Sequence, residues 1–265
     1  MMRIGLAAAC VMAWGAPAFA WGPTGHRYIG EMAVRALPAD LPAFLHTPEA
    51  ASQIGLLARE PDISRGAGQP HDWDSDPGHY VDLSDDGTIL GGPRLSALPK
   101  SRRDYDTALR AAGSNQYAAG FLPYTIIDGW QQLVKDFALL RADIVGEKFA
   151  RDVKQRAHFA QYRAVRRMLV LRDLGVWAHY VGDGSQPLHV TVHYNGWGDF
   201  PNPDGFVSGP GLHAQFEDAF IDAHVGEADV AAAMTAYRTD PASIDASVAH
   251  YLSETASHIH QLYVL

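Results

Sequence analysis

Strand-like alternation of apolar and polar residues is nearly absent from this chain, whereas apolar residues recur at helical spacing over most of it. With 265 residues, 47% of them hydrophobic, it can fill one good-sized core. The reading is one all-α domain. Thr24 precedes His26–Leu37, where Ile29, Met32, Ala33 and Leu37 share a face, so Thr24 is expected to cap a first helix. Further helices are expected over Pro48–Ala58, Arg102–Ala112, Pro123–Ile144, Leu212–Ala223, Ala228–Tyr237 and Ile244–Tyr263, with Pro123 suited to a helix start. One or two long helices should cover Gly146–Val181, turning Phe149, Val153, Phe159, Val165, Leu169 and Val176 inward. Pro61–Lys100 and Asp199–Gly211, rich in Gly and Pro, read as irregular excursions.

The first twenty residues read as an export signal. Arg3 is the only charge in Met1–Ala20, the apolar run Ile4–Trp14 follows it, and Ala18-Phe19-Ala20 has the small-x-small pattern of a cleavage site. Cleavage after Ala20 leaves a domain of residues 21–265 in a periplasm or outside the cell. A lipoprotein reading of Ala7-Ala8-Ala9-Cys10 would need a very short apolar region ahead of it. No later segment is long and apolar enough to span a bilayer, so no stable membrane association is expected. Cys10 is the sole cysteine and leaves with the signal, so something other than a disulfide must staple the exported chain. The net charge is −9, from 21 basic and 30 acidic residues, and loss of Arg3 takes it one unit further, to −10. A duplex-coating protein needs the opposite sign.

Thirteen histidines are unevenly spread. In His179-Tyr-Val-Gly-Asp183 the imidazole and carboxylate are four apart, on one helix face, close enough to grip one ion. His189 follows Gln186-Pro187-Leu188, where the proline should break the helix and turn the chain back. His213 and Glu217 repeat the four-residue spacing after the second loop. One such pair alone is ordinarily a surface ion pair. Two pairs plus His189, in a thiol-free exported chain, point to zinc held through nitrogen and oxygen. His46, His158, His224 and His250 stand alone and read as surface or core side chains, and His258 and His260, two apart, face different directions. His193 could support the ligands from behind. Tyr194, Trp197, Phe200 and Phe206 could form a substrate-stacking lid or simply pack their loop. Residues 148–172 hold eight basic side chains and one acidic, and Arg156, Arg163 and Arg167 share a face that could track phosphates or merely be solvated.

The exported chain would open Trp21-Gly-Pro-Thr-Gly-His26. This start, then His79-Tyr80-Val81-Asp82, then His179-Tyr-Val-Gly-Asp183-Gly-Ser-Gln-Pro-Leu-His189, resembles the S1/P1 nuclease family in content and order, over almost the whole exported chain. The resemblance implies a single helical domain of the phospholipase C/P1 nuclease type with a trinuclear zinc cleft. The α-amino and carbonyl groups of Trp21, with His26, would hold one zinc ion. Asp183 would bridge it to a second, completed by Asp62, His79 and His179, and the third would sit on His189, His213 and Glu217. Arg65 would face the phosphate, Tyr80 would stack on a base, and Asp82 would touch the base edge. The family more often has an aromatic and a small residue before the aspartate matched by Asp62, and here Glu60, Asp72, Asp74 and Asp76 compete for its role, as His71 competes with His79. Glu217 stands where the nucleases usually carry aspartate, as in the related zinc phospholipases C, whereas the Trp21-to-His26 spacing is the nuclease pattern.

The implied activity is that of a secreted zinc-dependent endonuclease and 3′-nucleotidase. It would cleave single-stranded RNA and DNA to 5′-phosphorylated products as a monomer, with a zinc-bridged hydroxide as nucleophile and Asp183 and Arg65 as the catalytic residues. The physical logic holds beside the resemblance: three carboxylates offset only half the charge of three Zn²⁺, so the cleft is locally cationic and suits a phosphodiester. Metal binding brings the pKa of water to roughly 7. The α-amine of Trp21, with a pKa near 8, becomes free to bind metal only after cleavage, so export would switch the enzyme on. A zinc-dependent phospholipase C acting on phospholipid headgroups is the alternative, and a zinc-storage protein without turnover is a third reading.

Overall fold

The computed structural model describes residues 21–235 and 242–265. The export signal with Cys10, and the Tyr237 end of the expected Ala228–Tyr237 helix, lie outside them. The described residues form one compact helical domain without a strand, as the lack of alternation requires.

Two long helices dominate, α7 over Leu122–Lys148 and α8 over Val153–Ser185, and they make the most extensive helix–helix contact in the molecule. Pro123 sits in the first turn of α7, where its missing N–H costs nothing. Asp152 ends the connection and caps α8, its carboxylate accepting from the Gln155 N–H at 2.7 Å. The N-terminal half of α7 packs Leu122, Tyr124 and Ile126 with Tyr105, Leu109, Ile89, Val190 and Leu252. A second core joins Leu140 and Val170 to Val34, Leu45 and Ile54 of the first helical layer. That layer is α1 (Gly22–Arg35), the 3-10 turn Ala43–His46 that carries Leu45, and α2 (Pro48–Leu57). Short helices follow at Glu60–Ile63 (α3) and His71–Ser75 (α4), then a 3-10 turn at Asp76–His79. Next come α5 (Arg102–Ala111) and α6 (Gln116–Ala119). Beyond α8 lie Leu212–Ala214 (α9), a π-helical turn over Gln215–Phe220, Ile221–His224 (α10), Glu227–Ala233 (α11), Ile244–Ala256 (α12) and Ile259–Val264 (α13).

The structure corrects several local expectations. Thr24 is not a cap: α1 starts two residues earlier, because Pro23 presets helical φ in its first turn, and the cap position is Trp21, with φ 50° and no side-chain cap. The irregular excursion from Pro61 contains α4 and the Asp76–His79 turn, segments too short to show a period. The last expected helix breaks between Ala256 and Ile259. Phe149, Val153 and Val165, expected inward, are exposed, because among the described residues nothing packs over this outer stretch of the α7–α8 hairpin. Phe159 and Leu169 are half-buried.

Between the long helices sits a buried carboxyl pair. The Gln132 amide donates to Asp136 at 2.9 Å and to Asp173 at 3.3 Å. Burial, and the neighbouring Asp173, raise the Asp136 pKa. Burial would raise Asp173 too, but the Asp136 hydrogen bond and Arg172 bring it below the ordinary value. Of the two, Asp136 therefore keeps its proton to the higher pH. The raised group costs stability as pH climbs from its unfolded pKa through its folded one, and the depressed group loses stability as pH falls below the unfolded value. Asp136→Asn keeps a donor on Asp173 at every pH. It is expected to raise Tm at pH 7.5 by about 2–4 °C, the effect of roughly one hydrogen bond, and to flatten the decline of Tm above pH 4. A melting series across pH checks this, and an equal or lower Tm at pH 7.5 would show that the pair carries no such cost.

Candidate metal centre

The C-terminal end of α8 is held from two sides. Tyr251 and Thr255 of α12 donate hydroxyls to the carbonyls of Val181 and Gly184, at 2.6 and 2.7 Å. The Trp21 indole N–H reaches the Gly182 carbonyl and the Ser185 hydroxyl, both at 2.8 Å. These bonds satisfy carbonyls that a helix end leaves open, and the helix dipole there favours positive charge. His179 and Asp183 share the inner face of this end, with His179 Nε2 3.2 Å from Asp183 Oδ2. Gly182 leaves room for the His26 ring of α1, which stacks on His179 with centroids 4.0 Å apart. Pro187 then ends the helix, and the 3-10 turn Pro187–His189 folds His189 back beside Asp183, its Nδ1 3.7 Å from Oδ1.

Three buried clusters result: His26, His179 and Asp183; Asp62, His79 and His179; and His189, His213 and Glu217. Each presents nitrogen and oxygen atoms within 4.8 Å of one another, so each could bind a metal ion. Of the rival acids, Asp62 is the one that joins: it is buried, 3.9 Å from both His79 and His179 and 3.7 Å from His26. Glu60 and Asp74 are exposed, Asp72 accepts from the Gly68 N–H, and Asp76 lies 3.6 Å from Arg65. His71 is exposed and takes no part. Glu217 lies in the π-helical turn, a wider winding often found where a helix builds a site.

Backbone carbonyls set the imidazole tautomers. Nδ1–H of His79 donates to Asp76 O at 3.0 Å, of His179 to Ala58 O at 2.8 Å, of His189 to His79 O at 2.6 Å and of His213 to Tyr194 O at 2.9 Å. A carbonyl can only accept, so each Nδ1 carries a proton and each Nε2 faces inward, where it presents a lone pair whenever its ring is neutral. In the third cluster the Nε2 atoms of His189 and His213 are 3.2 Å apart and lie 3.3 and 2.7 Å from Glu217 Oε1. These three atoms converge on one point and could hold a cation between them. Nε2 of His26, His79 and His179 and both oxygens of Asp183 are likewise buried without a hydrogen bond. These donors fit a metal of nitrogen-and-oxygen preference.

Titration follows the same geometry. Burial holds the His79 imidazole well below its ordinary pKa, hence neutral. Burial would also raise Asp183, but His179 and its neighbours hold it far below the carboxylate range. Burial pushes Asp62 up to about 6, more than His179 and Arg65 offset. Burial would depress His189, yet Glu217 and Asp183 push it up to about 9, another sign that this cluster favours positive charge.

Beside the second and third clusters opens a cleft of about 290 Å³, walled by Arg65, His79, Tyr80, Asp82, His189 and His213 together with Tyr194 and Asn195. Arg65 reaches it from just after α3, its Nη1 3.4 Å from Asp62 Oδ1. The Tyr80 hydroxyl donates to Tyr117 O at 3.1 Å, which fixes the ring at the rim. Burial pushes Asp82 up to about 7 against the pull of His189, so at neutral pH it can donate or accept a proton.

Asn195 escaped the sequence reading. Its Oδ1 accepts from the Gly211 and His213 N–H groups at 2.7 and 3.3 Å, closing the second loop onto the third cluster. Its only sequence signal is a turn-like Asn-Gly. Of the loop aromatics, Tyr194 lines the cleft, whereas Trp197 is buried against His193, with ring centroids 3.7 Å apart, and against Phe206. His193 holds Asp85 at 2.8 Å and supports the loop. The Trp21 carbonyl accepts the Gly25 N–H at 3.0 Å, which occupies one of its two lone pairs. Comparison with protein-family profiles, with curated proteins and with solved structures finds no match to this chain.

Proposed function

We propose that the protein is an exported zinc-dependent nuclease of the S1/P1 type, an endonuclease and 3′-nucleotidase acting on single-stranded RNA and DNA. The observation that carries this reading is the opening of a cleft walled by Arg65, Tyr80 and Asp82 onto the imidazoles of His79, His189 and His213, each tied back through Nδ1. His26, Asp62, His79, His179 and Asp183 would hold two zinc ions, and His189, His213 and Glu217 a third, with the freed α-amine of Trp21 completing the first. The ions, when bound, supply positive charge for a phosphodiester and water acidified to neutral pH.

The chain's own groups do the rest. Arg65, oriented by Asp62 and Asp76, offers planar donors to the non-bridging phosphate oxygens, where charge grows as the bond breaks. Tyr80 and Tyr194 form the apolar rim on which an unpaired base can stack, and Asp82 meets the base edge. A duplex keeps its bases inside and cannot use that rim, hence the single-strand preference.

The test uses protein beginning at Trp21, loaded with zinc, on single-stranded RNA and DNA with and without chelator, with products identified by mass. Chelator-sensitive release of 5′-phosphorylated products is expected, and the precursor with residues 1–20 attached is expected to be inactive. Intact strands from a zinc-loaded preparation would refute the nuclease reading. Glu217 in the third cluster favours a second reading, a zinc phospholipase C, and release of phosphocholine from phosphatidylcholine by that same preparation would establish it.

A further inference from the structure

The end of the α7–α8 hairpin brings exposed apolar side chains together with a group of cations. Phe149 is 72% exposed and Val153 83%, with Ile144 and Val145 also exposed beside them on α7. Lys148, Arg151, Lys154 and Arg156 surround them, all exposed, on a protein whose net charge is −9. The four cations are free of ion pairs among the described residues. Lys148 Nζ lies over the Phe149 ring, 5.5 Å from its centroid. The nearby acids are mostly engaged: Glu147 pairs with Arg163 at 2.7 Å and Asp152 caps α8, while Asp143 stands a turn further back on α7.

We propose that this tip is a docking site for an anionic membrane surface. The cations would meet lipid phosphates while Phe149 and Val153 enter the boundary between headgroups and acyl chains. A polynucleotide fits less well. The basic residues that would lead it from the tip toward the cleft are already committed: Arg163 to Glu147, Arg166 to Asp136 at 3.5 Å, Arg172 to Asp173 at 2.7 Å, and Arg167 over the Phe44 ring. Ile144, Val145 and Val153 are aliphatic and offer nothing for a base to stack on, which leaves Phe149 as a lone platform and not a row of them. The unpaired cations gather at residues 148–156 beside Phe149 and Val153 and do not continue as a track along α8. Val153 and His179 are 26 residues apart on one helix, so the docked tip would hold the metal clusters about 40 Å from the bilayer. The contact is peripheral and reversible, which extends the expectation of no stable membrane association, and it does not rest on the nuclease reading.

Vesicle co-sedimentation tests it, using phosphatidylcholine alone and phosphatidylcholine mixed with phosphatidylglycerol. Binding only to the mixed vesicles, weakened by salt, is expected. Lys154→Glu with Arg156→Glu should weaken it by at least about 25-fold, at roughly fivefold per cation, and Phe149→Ala by about tenfold. All these side chains are exposed, so melting temperatures should not move, and a phosphorothioate single-stranded oligonucleotide should bind the charge variant as well as it binds the unaltered protein. Absence of binding to mixed vesicles, or equal binding by the variants, would overturn the proposal. Loss of oligonucleotide binding with vesicle binding intact would assign the tip to nucleic acid instead.

Discussion

Asp183→Asn is expected to lower kcat/KM on single-stranded RNA by about 10³ or more, the largest effect of any single substitution in this protein. Asp183 is the carboxylate that faces two clusters at once. Its Oδ2 is 3.2 Å from His179, and its Oδ1 lies 3.5 Å from His26 and 3.7 Å from His189. The amide has the same size but turns one acceptor into a donor aimed at an imidazole lone pair, and it removes the negative charge that would hold two cations side by side. Losing about 4 kcal/mol of charge stabilisation in the transition state corresponds to that factor. The check is steady-state kinetics together with metal content. A variant that keeps its rate and its full complement of metal would remove Asp183 from the role assigned to it.

Stability should respond to metal on a comparable scale. Chelation is expected to lower Tm by well over about 10 °C, and zinc, but not magnesium, should restore it. Each ion present at a thousand times its dissociation constant contributes about 4 kcal/mol, and about 1 kcal/mol moves Tm by roughly 2–4 °C in a domain of this size. The physical cause is already in place: three buried carboxylates, Asp62, Asp183 and Glu217, packed among inward-facing imidazole lone pairs, are costly to fold around without a cation. Magnesium prefers oxygen donors and resists dehydration, so it is a poor substitute in an imidazole-rich pocket. Differential scanning calorimetry with chelator, and then with each metal added back, decides it. An unchanged Tm would mean that the clusters hold no structural ion.

Much of the candidate site was legible because its pieces are local. His179 with Asp183, and His213 with Glu217, show as four-residue spacings, and Pro187 marks the turn that returns His189. The choice of Asp62 among five nearby acids came from the family resemblance and not from any local pattern. It depends on α3 lying against the end of α8, which places one carboxylate inside and leaves Glu60 and Asp74 in water. Asn195 was missed for the same reason, since its function is to hold Gly211 and His213, 16 and 18 residues away. The inward assignment of Phe149, Val153 and Val165 failed differently. Helical period identifies a face, but whether that face is covered depends on how far the neighbouring layer extends.

The sequence by itself determined the all-helical class, the two long helices and the residue types able to bind metal, because hydrophobic period, proline placement and short His–carboxylate spacings act within a few turns of chain. Only the tertiary structure decided that residues from 26 to 217 converge in three clusters, that four imidazoles turn Nε2 inward, and that no described residue covers the hairpin tip. Those outcomes rest on carbonyls, helix ends and layers supplied by distant segments, so no local pattern encodes them.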